Sequence, residues 1–206
     1  MKDLQRTLRD QAAGLPDAPP AELNERLNAR AAEEGLLDVA YGWVDSPLGR
    51  LTVAATPRGL VRVAYPFKEP DTVLEELARK VSPRMLEAPE RLDDVRRELD
   101  EYFEGQRQEF DLPIDWALTA GFVRSVLRAT ARIGYGDVRT YSDMAKAAGS
   151  PRAVRAAGNA LGANPMPVVV PCHRVVRTGG GFGGYTGGIE RKEFLLRLEG
   201  RPEAQR

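Results

Sequence analysis

The sequence is poor in the side chains that most often bind metals or form disulfides. Among 206 residues it has one cysteine and one histidine. One cysteine cannot form an internal disulfide or a dithiol redox pair, and this usage suits a reducing compartment. A structural zinc site takes about four cysteine or histidine ligands, so two are too few. We therefore expect no bound metal.

Long apolar runs are also missing. No stretch approaches the roughly 20 residues that a membrane span requires, although 42% of the residues are hydrophobic. The opening residues, MKDLQRTLRDQAAG, lack the apolar segment of a secretory signal. We expect a soluble, cytoplasmic protein without a membrane partner, whose core is large enough for one good domain or two small ones.

The net charge is zero, but the charges are unevenly distributed. Residues 121–206 contain 14 Lys and Arg against 6 Asp and Glu, whereas residues 1–120 contain 16 against 24. This asymmetry favours a polyanion as the partner of the C-terminal part. Chance variation between solvated surfaces is the alternative, and charge alone does not decide between the two.

The first half of the chain divides into an extension, residues 1–37, and a small α/β domain, residues 38–112. The extension predicts two short helices around a proline-rich turn. Residues 39–65 alternate between apolar and polar side chains in three runs, with Pro and Gly in both intervening turns, and predict an antiparallel meander. Helices are expected at 70–81 and 89–104.

A second domain is expected at 113–206, and it opens with a helix over about 121–133. Its next segment, residues 140–165, reads TYSDMAKAAGSPRAVRAAGNALGANP. Two short helices across one tight turn are predicted there, which is a helix-turn-helix. Such units bind nucleic acid in some proteins and serve only as packing motifs in others.

Capping residues mark the ends of both helices in this unit. Thr140 and Asp143 have the spacing of a capping box at the start of the first helix. Gly149 can adopt the left-handed conformation that ends it. Ser150 is expected to cap the second helix, with Pro151 at its first position, where the missing N–H costs nothing.

One face of the second helix is cationic and polar, because Arg152, Arg155 and Asn159 follow one another at spacings of three and four. The residues between them are mostly alanine and glycine, so the helix is slim. A slim cationic helix suits a phosphate-lined groove. An ordinary amphipathic helix with a solvated arginine face is the alternative.

The single cysteine and the single histidine are neighbours in VVVPCHRVV, residues 168–176. The valine run predicts a buried strand that ends at Pro171, which would place Cys172 at the tip of the strand. A lone cysteine is often buried and inert. Here His173 and Arg174 follow it, and positive neighbours favour the nucleophilic thiolate.

Consecutive side chains on a strand point to opposite faces. A contact between Cys172 and His173 therefore requires a tight turn after Cys172 or a water between the two groups. A carboxylate on the far nitrogen of His173 would complete a relay. Glu199 and Glu193, both on the final predicted helix, are the candidates.

Glycine dominates the segment that follows. TGGGFGGYTGG, residues 178–188, has seven glycines in eleven residues. It lacks the Gly-Lys-Ser/Thr ending of a phosphate loop, so nucleotide binding is excluded there and no cofactor is expected. A flexible linker is one interpretation. The other is a loop whose backbone folds over a flat ligand, with Tyr185 as a wall and N–H groups near Thr186 as donors.

Taken together, these segments resemble the O6-alkylguanine-DNA alkyltransferases, also called methylated-DNA–protein-cysteine methyltransferases. The resemblance rests on NPMPVVVPCHRVV, GYTGG and RKEFLLRLEG, preceded by TYSDMAKAAGSPRAVRAAGNALG, and is strong over residues 111–206. It implies an α+β fold. A small RNase H-like N-terminal domain with an antiparallel sheet precedes a mostly helical, winged-helix-like C-terminal domain that carries the helix-turn-helix.

The resemblance also implies a reaction. Cys172 would accept an alkyl group from O6 of guanine in DNA, or from O4 of thymine, irreversibly and once per molecule. His173, through a water and with Glu199 behind it, would hold Cys172 as thiolate. Tyr141 would donate a hydrogen bond toward the departing guanine.

Roles in binding follow from the same resemblance. Arg155 would enter the duplex and fill the gap left by the extruded base, and Tyr141 would press on the phosphate of that nucleotide. Asn164 would form the hinge between the DNA-binding helix and the active site, and Arg152 and Arg174 would add contacts to DNA. The guanine would be recognised by Val175, Tyr185 and Thr186.

Two alternatives share parts of this pattern. A non-catalytic protein that binds damaged guanine lacks the reactive cysteine, so Cys172 argues against it. A helix-turn-helix regulator that senses alkylation usually needs a metal site. The expected partner is double-stranded DNA that contains O6-alkylguanine, and a monomer is expected. The chain departs from the resemblance at Leu127, where many members have tryptophan, and in residues 1–37, an added extension.

Overall fold

The computed structural model describes residues 34–201 without interruption, together with residues 23, 26–28 and 30–31. The chain divides into two compact units, Met1–Leu37 and Asp38–Arg206. In the first unit, the described residues between 23 and 31 have helical backbone. Most of the two helices predicted for residues 1–37 lies outside the described residues. The second unit contains the whole of the fold described below.

The second unit begins with a four-stranded sheet, formed by β1 (Val39–Val44), β2 (Leu51–Thr56), β3 (Gly59–Ala64) and β4 (Met85–Glu87). The strand order is β3-β2-β1-β4. The predicted meander is confirmed, since β1 pairs with β2 and β2 with β3 in antiparallel fashion. The short β4 was not predicted, and it runs parallel to β1, so the sheet is mixed.

Helices cover both faces of this sheet. Helix α1 (Pro70–Lys80) packs on one face, where its Val73 and Leu77 meet Val39 and Val61. Helix α2 (Asp93–Phe103) packs on the other face, in the main core. The helix predicted over 89–104 is interrupted at its start, because Pro89–Leu92 forms a separate 3₁₀ turn.

The C-terminal part is mostly helical. Its helices are α3 (Gly121–Thr130), α4 (Tyr141–Ala147), α5 (Val154–Gly162) and α6 (Ile189–Leu198). Two short parallel strands, β5 (Arg139–Thr140) and β6 (Val175–Val176), lie between them in space. The main core contains residues from β2, β3 and all of these helices, so the α+β fold is confirmed as one continuous packing unit.

The helix-turn-helix is formed by α4 and α5. The predicted capping box is present, because Thr140 accepts from the Asp143 N–H and Asp143 accepts from the Thr140 N–H. Gly149 has the expected positive φ, 79°. The prediction that Ser150 caps α5 is wrong. Residues 150–152 form a turn closed by the Ala153 N–H on the Ser150 carbonyl at 2.9 Å, so α5 begins later, at Val154.

The strand predicted for the valine run before Cys172 is also wrong. Residues 167–169 form a turn in which Val168 has a φ of 75°, and Val170 N–H bonds back to the Met166 carbonyl at 2.8 Å. Pro165 and Pro167 before this run and Pro171 after it lack the N–H donors that a strand would need. The valines are buried all the same, so β-branching here reflects burial rather than a strand. No helix in the described part of the chain is long and apolar enough to cross a membrane.

Candidate active site

Cys172 lies at the floor of a groove of about 690 Å³. It begins a 3₁₀ turn, Cys172–Arg174, directly after Pro171, and a tight turn at this point was one of the two alternatives that the sequence left open. Only 6% of the residue is exposed, yet Cys172 is among the residues that line the groove. A molecule bound in the groove would therefore meet the sulfur, whereas bulk solvent has little access to it.

Asn164 fixes the position of the sulfur from one side. Its side-chain N–H₂ group donates to Sγ of Cys172 at 3.1 Å and to the Val170 carbonyl at 2.8 Å. Its Oδ1 accepts from the Met166 N–H at 3.0 Å. The Asn164 side chain thus links the residues that follow α5 to the turn that holds Cys172. A hinge between the helix and the cysteine would occupy this position.

Behind the cysteine, His173 is fully buried and its Nε2 lies 2.9 Å from Oε1 of Glu199. An ionised carboxylate can only accept, so Nε2 carries the hydrogen and Nδ1 is the unprotonated nitrogen. Burial lowers the pKa of His173, and together with the charges of Arg174 and Lys192 it outweighs the hydrogen bond and charge of Glu199, which raise that pKa. His173 is therefore neutral at neutral pH. Its Nδ1 has no hydrogen-bond partner among the described residues.

Glu199, and not Glu193, is the carboxylate of this relay. Besides His173, it accepts from Arg174 through both oxygens, from the Tyr102 hydroxyl at 2.7 Å and from the Gly136 N–H. Burial alone would raise the pKa of Glu199, but the hydrogen bonds and charges of His173 and Arg174 outweigh it and hold the pKa at about 2. The carboxylate is therefore charged at all ordinary pH values.

The prediction that Arg174 contacts DNA is wrong. The residue is buried, and its guanidinium forms three hydrogen bonds to the Glu199 carboxylate, the closest at 2.8 Å, and a further one to the Ile133 carbonyl. A buried carboxylate needs a compensating charge. Arg174 supplies it, and its charge is consequently unavailable to a ligand in the groove.

This assignment also corrects the prediction that His173 and Arg174 favour the thiolate. His173 is neutral and Arg174 is paired with Glu199. Burial raises the pKa of Cys172, and the groups that partly offset it are Asn164, Lys192 and, to a smaller extent, Tyr185. In the free protein Cys172 is therefore a buried thiol that needs a base.

Lys192 is an unexpected cation beside this site. It is fully buried, and its ammonium donates to the Val175 carbonyl at 2.5 Å and to the Phe182 carbonyl. Burial lowers its pKa to about 8, while the nearby Cys172 acts in the opposite direction. The sequence carried a signal for it that we did not use, since a lysine in the middle of a helical apolar stripe is unusual.

The charge of Glu199 leads to a prediction about stability. A carboxyl whose folded pKa is about 2 and whose ordinary value is 4.5 stabilises the fold by about 3 kcal/mol above pH ~4.5, and this stabilisation is lost as the pH falls from ~4.5 to ~2. Glu199→Gln should therefore be less stable than the native chain at neutral pH, and the difference should shrink in acid. Urea unfolding at a series of pH values measures it.

Glu193→Gln is the control for that experiment, because Glu193 lies on the same helix but outside the relay. It should shift the free energy of unfolding by less than about 0.5 kcal/mol at every pH. A difference between the native chain and Glu199→Gln that stays constant from neutral to acid pH would contradict the assigned pKa.

The walls of the groove come from the helix-turn-helix and the glycine-rich loop. Tyr141 donates to the Gly184 carbonyl at 3.1 Å, and Thr186 donates to the Gly162 carbonyl at 2.7 Å, so the loop is bonded to both helices. Gly183 has a φ of 67°, and a Cβ there would lie 2.6 Å from the Tyr141 hydroxyl. The glycines thus let the loop approach the helices closely, which favours the ligand-covering interpretation over the flexible linker.

Most of the other predicted site residues also lie around this groove. Tyr141, Arg155, Tyr185 and Thr186 line it. Arg152 is exposed on the turn before α5 and is not among the lining residues. Val175 is buried next to the cysteine turn, and its carbonyl already accepts from Lys192. No group of three or more metal-ligating side chains occurs among the residues that the structure describes.

The groove thus combines a cysteine, a buried imidazole–carboxylate pair and a helix-turn-helix. This combination is typical of a protein whose cysteine reacts with a ligand that the helix-turn-helix binds. Residues 39–116 match the family described as "6-O-methylguanine DNA methyltransferase, ribonuclease-like domain" and residues 121–201 match its "DNA binding domain". The chain belongs to the 6-O-methylguanine DNA methyltransferase family.

Named relatives agree with this assignment. The inducible methylated-DNA–protein-cysteine methyltransferase of Bacillus subtilis (strain 168) is 42% identical over 155 residues, which are 74% of this chain and 86% of the relative. The corresponding protein of Methanosarcina barkeri is 35% identical, over 77% and 96%. The crystal structure of Mycobacterium tuberculosis OGT in complex with DNA is 35% identical, covers 78% of this chain and 92% of that one, and has a TM-score of 0.67.

Proposed function

We propose that this protein repairs DNA directly, by transferring a methyl or other alkyl group from O6 of guanine, or from O4 of thymine, to Cys172. One observation carries the proposal: the only sulfur of a cysteine in the chain lies at the floor of the groove, held by Asn164, with the His173–Glu199 pair directly behind it. The names of the relatives describe transfer of a methyl group from methylated DNA to a cysteine of the protein.

Double-stranded DNA would lie along the helix-turn-helix. Arg155 is exposed on α5 at the edge of the groove, and Arg152 is exposed on the preceding turn. Because O6 of a stacked guanine is out of reach of a nucleophile, the base must leave the duplex, which costs a few kcal/mol. Arg155 would offset part of this cost by stacking in the vacated space. Tyr141 would hold the phosphate of the extruded nucleotide.

The guanine would then occupy the groove above Cys172. Tyr185 would form one wall, and backbone groups near Thr186 and Val175 would bond the edge of the base. The Val175 carbonyl retains one lone pair beyond its bond to Lys192 and can accept a second donor. The same groups would accept thymine, whose O4 presents an alkyl group in a similar position.

In the transfer step, the Cys172 thiol gives its proton through a water to Nδ1 of His173, and Glu199 stabilises the imidazolium that results. The sulfur attacks the alkyl carbon in line with the bond to O6. The S–C bond forms as the C–O bond breaks, and the departing guanine takes up a proton from Tyr141. Tyr141 then regains a proton from solvent, to which the His173 imidazolium releases its own. The product is a thioether, which has no easy leaving group, so the cysteine is not regenerated.

This stoichiometry is the test of the proposed function. Excess duplex that contains O6-methylguanine should lose one methyl group per protein chain and then no more. Mass spectrometry of the peptide that holds Cys172 should show a gain of one CH₂ unit. Duplex with unmodified guanine is the control and should leave the mass unchanged. Continued turnover, or a modified peptide elsewhere in the chain, would contradict the proposal.

Neither alternative function gains support from the site. A protein that only binds damaged guanine has no use for a cysteine aligned with a base, and a metal-dependent alkylation sensor needs ligands that one cysteine and one histidine do not supply. We further propose that the protein acts as a monomer in the cytoplasm, and that residues 38–112 and 113–206 are its two domains after an extension, residues 1–37.

A further inference from the structure

The N-terminal sheet reaches the active site at one edge, the end of strand β3. The Val63 N–H of β3 donates to the Pro165 carbonyl at 2.9 Å, one residue after Asn164. Two residues further along, directly after the strand, the hydroxyl of Tyr65 lies 2.6 Å from the hydroxyl of Tyr185 in the glycine-rich loop. The edge of the sheet is therefore bonded to both segments that flank the cysteine.

Tyr65 is itself held rigidly. It is buried, and the guanidinium of Arg191 lies over its ring, 5.4 Å from the centroid. Arg191 also donates to the Gly187 carbonyl at 2.9 Å and to the Leu48 carbonyl. Gly187 is enclosed by the two tyrosines, since a Cβ there would lie 2.6 Å from the Tyr65 ring and 2.7 Å from the Tyr185 ring. Both rings therefore pack closely against the loop backbone at Gly187.

Tyr65, Tyr185 and Cys172 also line one small cavity beside the main groove. Tyr185 and Cys172 line the main groove as well, so both residues lie between the two spaces. Any freedom of the Tyr185 ring would change both the width of the groove at the sulfur and the surroundings of the sulfur itself.

We propose that Tyr65 is a positioning residue for the reaction at Cys172, and that its hydroxyl fixes the hydroxyl of Tyr185 beside the sulfur. This inference deepens the proposed function and rests on it for its biological meaning. Tyr185 has one hydroxyl hydrogen. If that hydrogen is directed to the sulfur, Tyr65 must be the donor in the pair, and a chain of two hydroxyls ends on Cys172. Such chains strengthen each hydrogen bond in them.

The Tyr185 hydroxyl contributes to the electrostatics of the cysteine. Burial raises the pKa of Cys172, and a hydrogen bond from Tyr185 is among the groups that lower it again. Burial likewise raises the pKa of Tyr65 and of Tyr185, so both remain protonated donors at neutral pH. Removing the Tyr65 hydroxyl should make the sulfur harder to ionise and Tyr185 easier to displace.

The test uses iodoacetamide as the probe, because Cys172 is the only cysteine and its alkylation is read directly from the mass of the full chain. The S–C bond forms, iodide leaves, and the thiol proton goes to the buffer. For Tyr65→Phe, the rate at neutral pH should fall about three- to tenfold, the effect of one lost hydrogen bond, and the pH profile should move to higher pH. A purely structural role would not move the profile.

Tyr185→Phe removes the other hydroxyl of the same hydrogen bond, and it should lower the rate of alkylation by at least as large a factor. The double variant should react as slowly as Tyr185→Phe alone, because the effects of substituting two residues in contact are not additive. Tyr41→Phe is the matched control, because it removes one hydroxyl from the same sheet, beside Trp43 and away from the groove. It should react at the native rate.

Methyl transfer from duplex O6-methylguanine, measured in parallel under single-turnover conditions, should follow the same order of rates. A Tyr65→Phe variant that matches the native chain with iodoacetamide, or whose loss adds in full to that of Tyr185→Phe, would overturn the positioning role. A native chain that reacts as expected with iodoacetamide but accepts no methyl group would overturn the proposed function and leave the positioning role standing.

Discussion

Cys172→Ala is expected to bind duplex DNA that contains O6-methylguanine and to transfer no methyl group at all. The sulfur is the only thiol in the chain, Asn164 donates a hydrogen bond to it, and the next residue, His173, is paired with Glu199. Alanine leaves the groove walls and the helix-turn-helix in place, so affinity for DNA should stay within about threefold, as expected when phosphate contacts are kept. Radiolabelled methyl transfer and a gel-shift titration measure the two properties.

Thr178→Ala is a suitable control for this experiment. Thr178 also lines the groove, is exposed, and has no part in the relay. It should bind DNA and accept one methyl group, as the native chain does. Any label found on Cys172→Ala would show that another side chain is the acceptor, and a loss of DNA binding would show that the cysteine is needed for the shape of the groove.

Arg155→Ala is expected to slow repair of duplex DNA by about tenfold or more, and to leave the reaction with free O6-benzylguanine within about twofold of the native rate. The reason is that a free base needs no extrusion, whereas a duplex base must be unstacked at a cost of a few kcal/mol. Arg155 is placed to offset that cost, because it is exposed on α5 at the rim of the groove. Single-turnover rates with both substrates give the comparison.

Arg152→Ala is the matched control, since it removes the same charge from the turn before α5 but from outside the groove. It should weaken binding to duplex through a lost phosphate contact and leave the rate of the bound complex unchanged. If the two variants lose duplex repair equally at saturating protein, or if Arg155→Ala also loses reactivity with the free base, Arg155 has no special role in extrusion.

Local signals in the sequence predicted the helix-turn-helix well. A capping box and a C-terminal glycine act within a few residues, so their effect does not depend on the rest of the fold. The same reasoning failed at Ser150, where the favoured capping residue is used in a turn instead. The strand predicted for the valine run before Cys172 was wrong for a related reason. Buried β-branched residues occur both in strands and in enclosed turns, and three nearby prolines favour the turn.

The candidate site was predicted only in part, and the missing residues share one property. Cys172, His173 and the glycine-rich loop are close in sequence, and Glu199 could be proposed because a relay needs a carboxylate. Tyr102 and Tyr65 contact the site from 97 and 120 residues away along the chain. Contacts at such separations depend on how the sheet packs against the C-terminal helices, and no short motif encodes them.

The N-terminal part thus contributes two hydroxyls to the surroundings of the cysteine. The Tyr102 hydroxyl is hydrogen-bonded to Glu199, and the Tyr65 hydroxyl is hydrogen-bonded to the Tyr185 hydroxyl. Chains are synthesised from the N-terminus, and domains fold as units in that order. Both tyrosines therefore leave the ribosome before the cysteine does. The sulfur is made after both tyrosines and before Tyr185 and Glu199, so the sheet that bonds the glycine-rich loop is complete before the cysteine and that loop emerge.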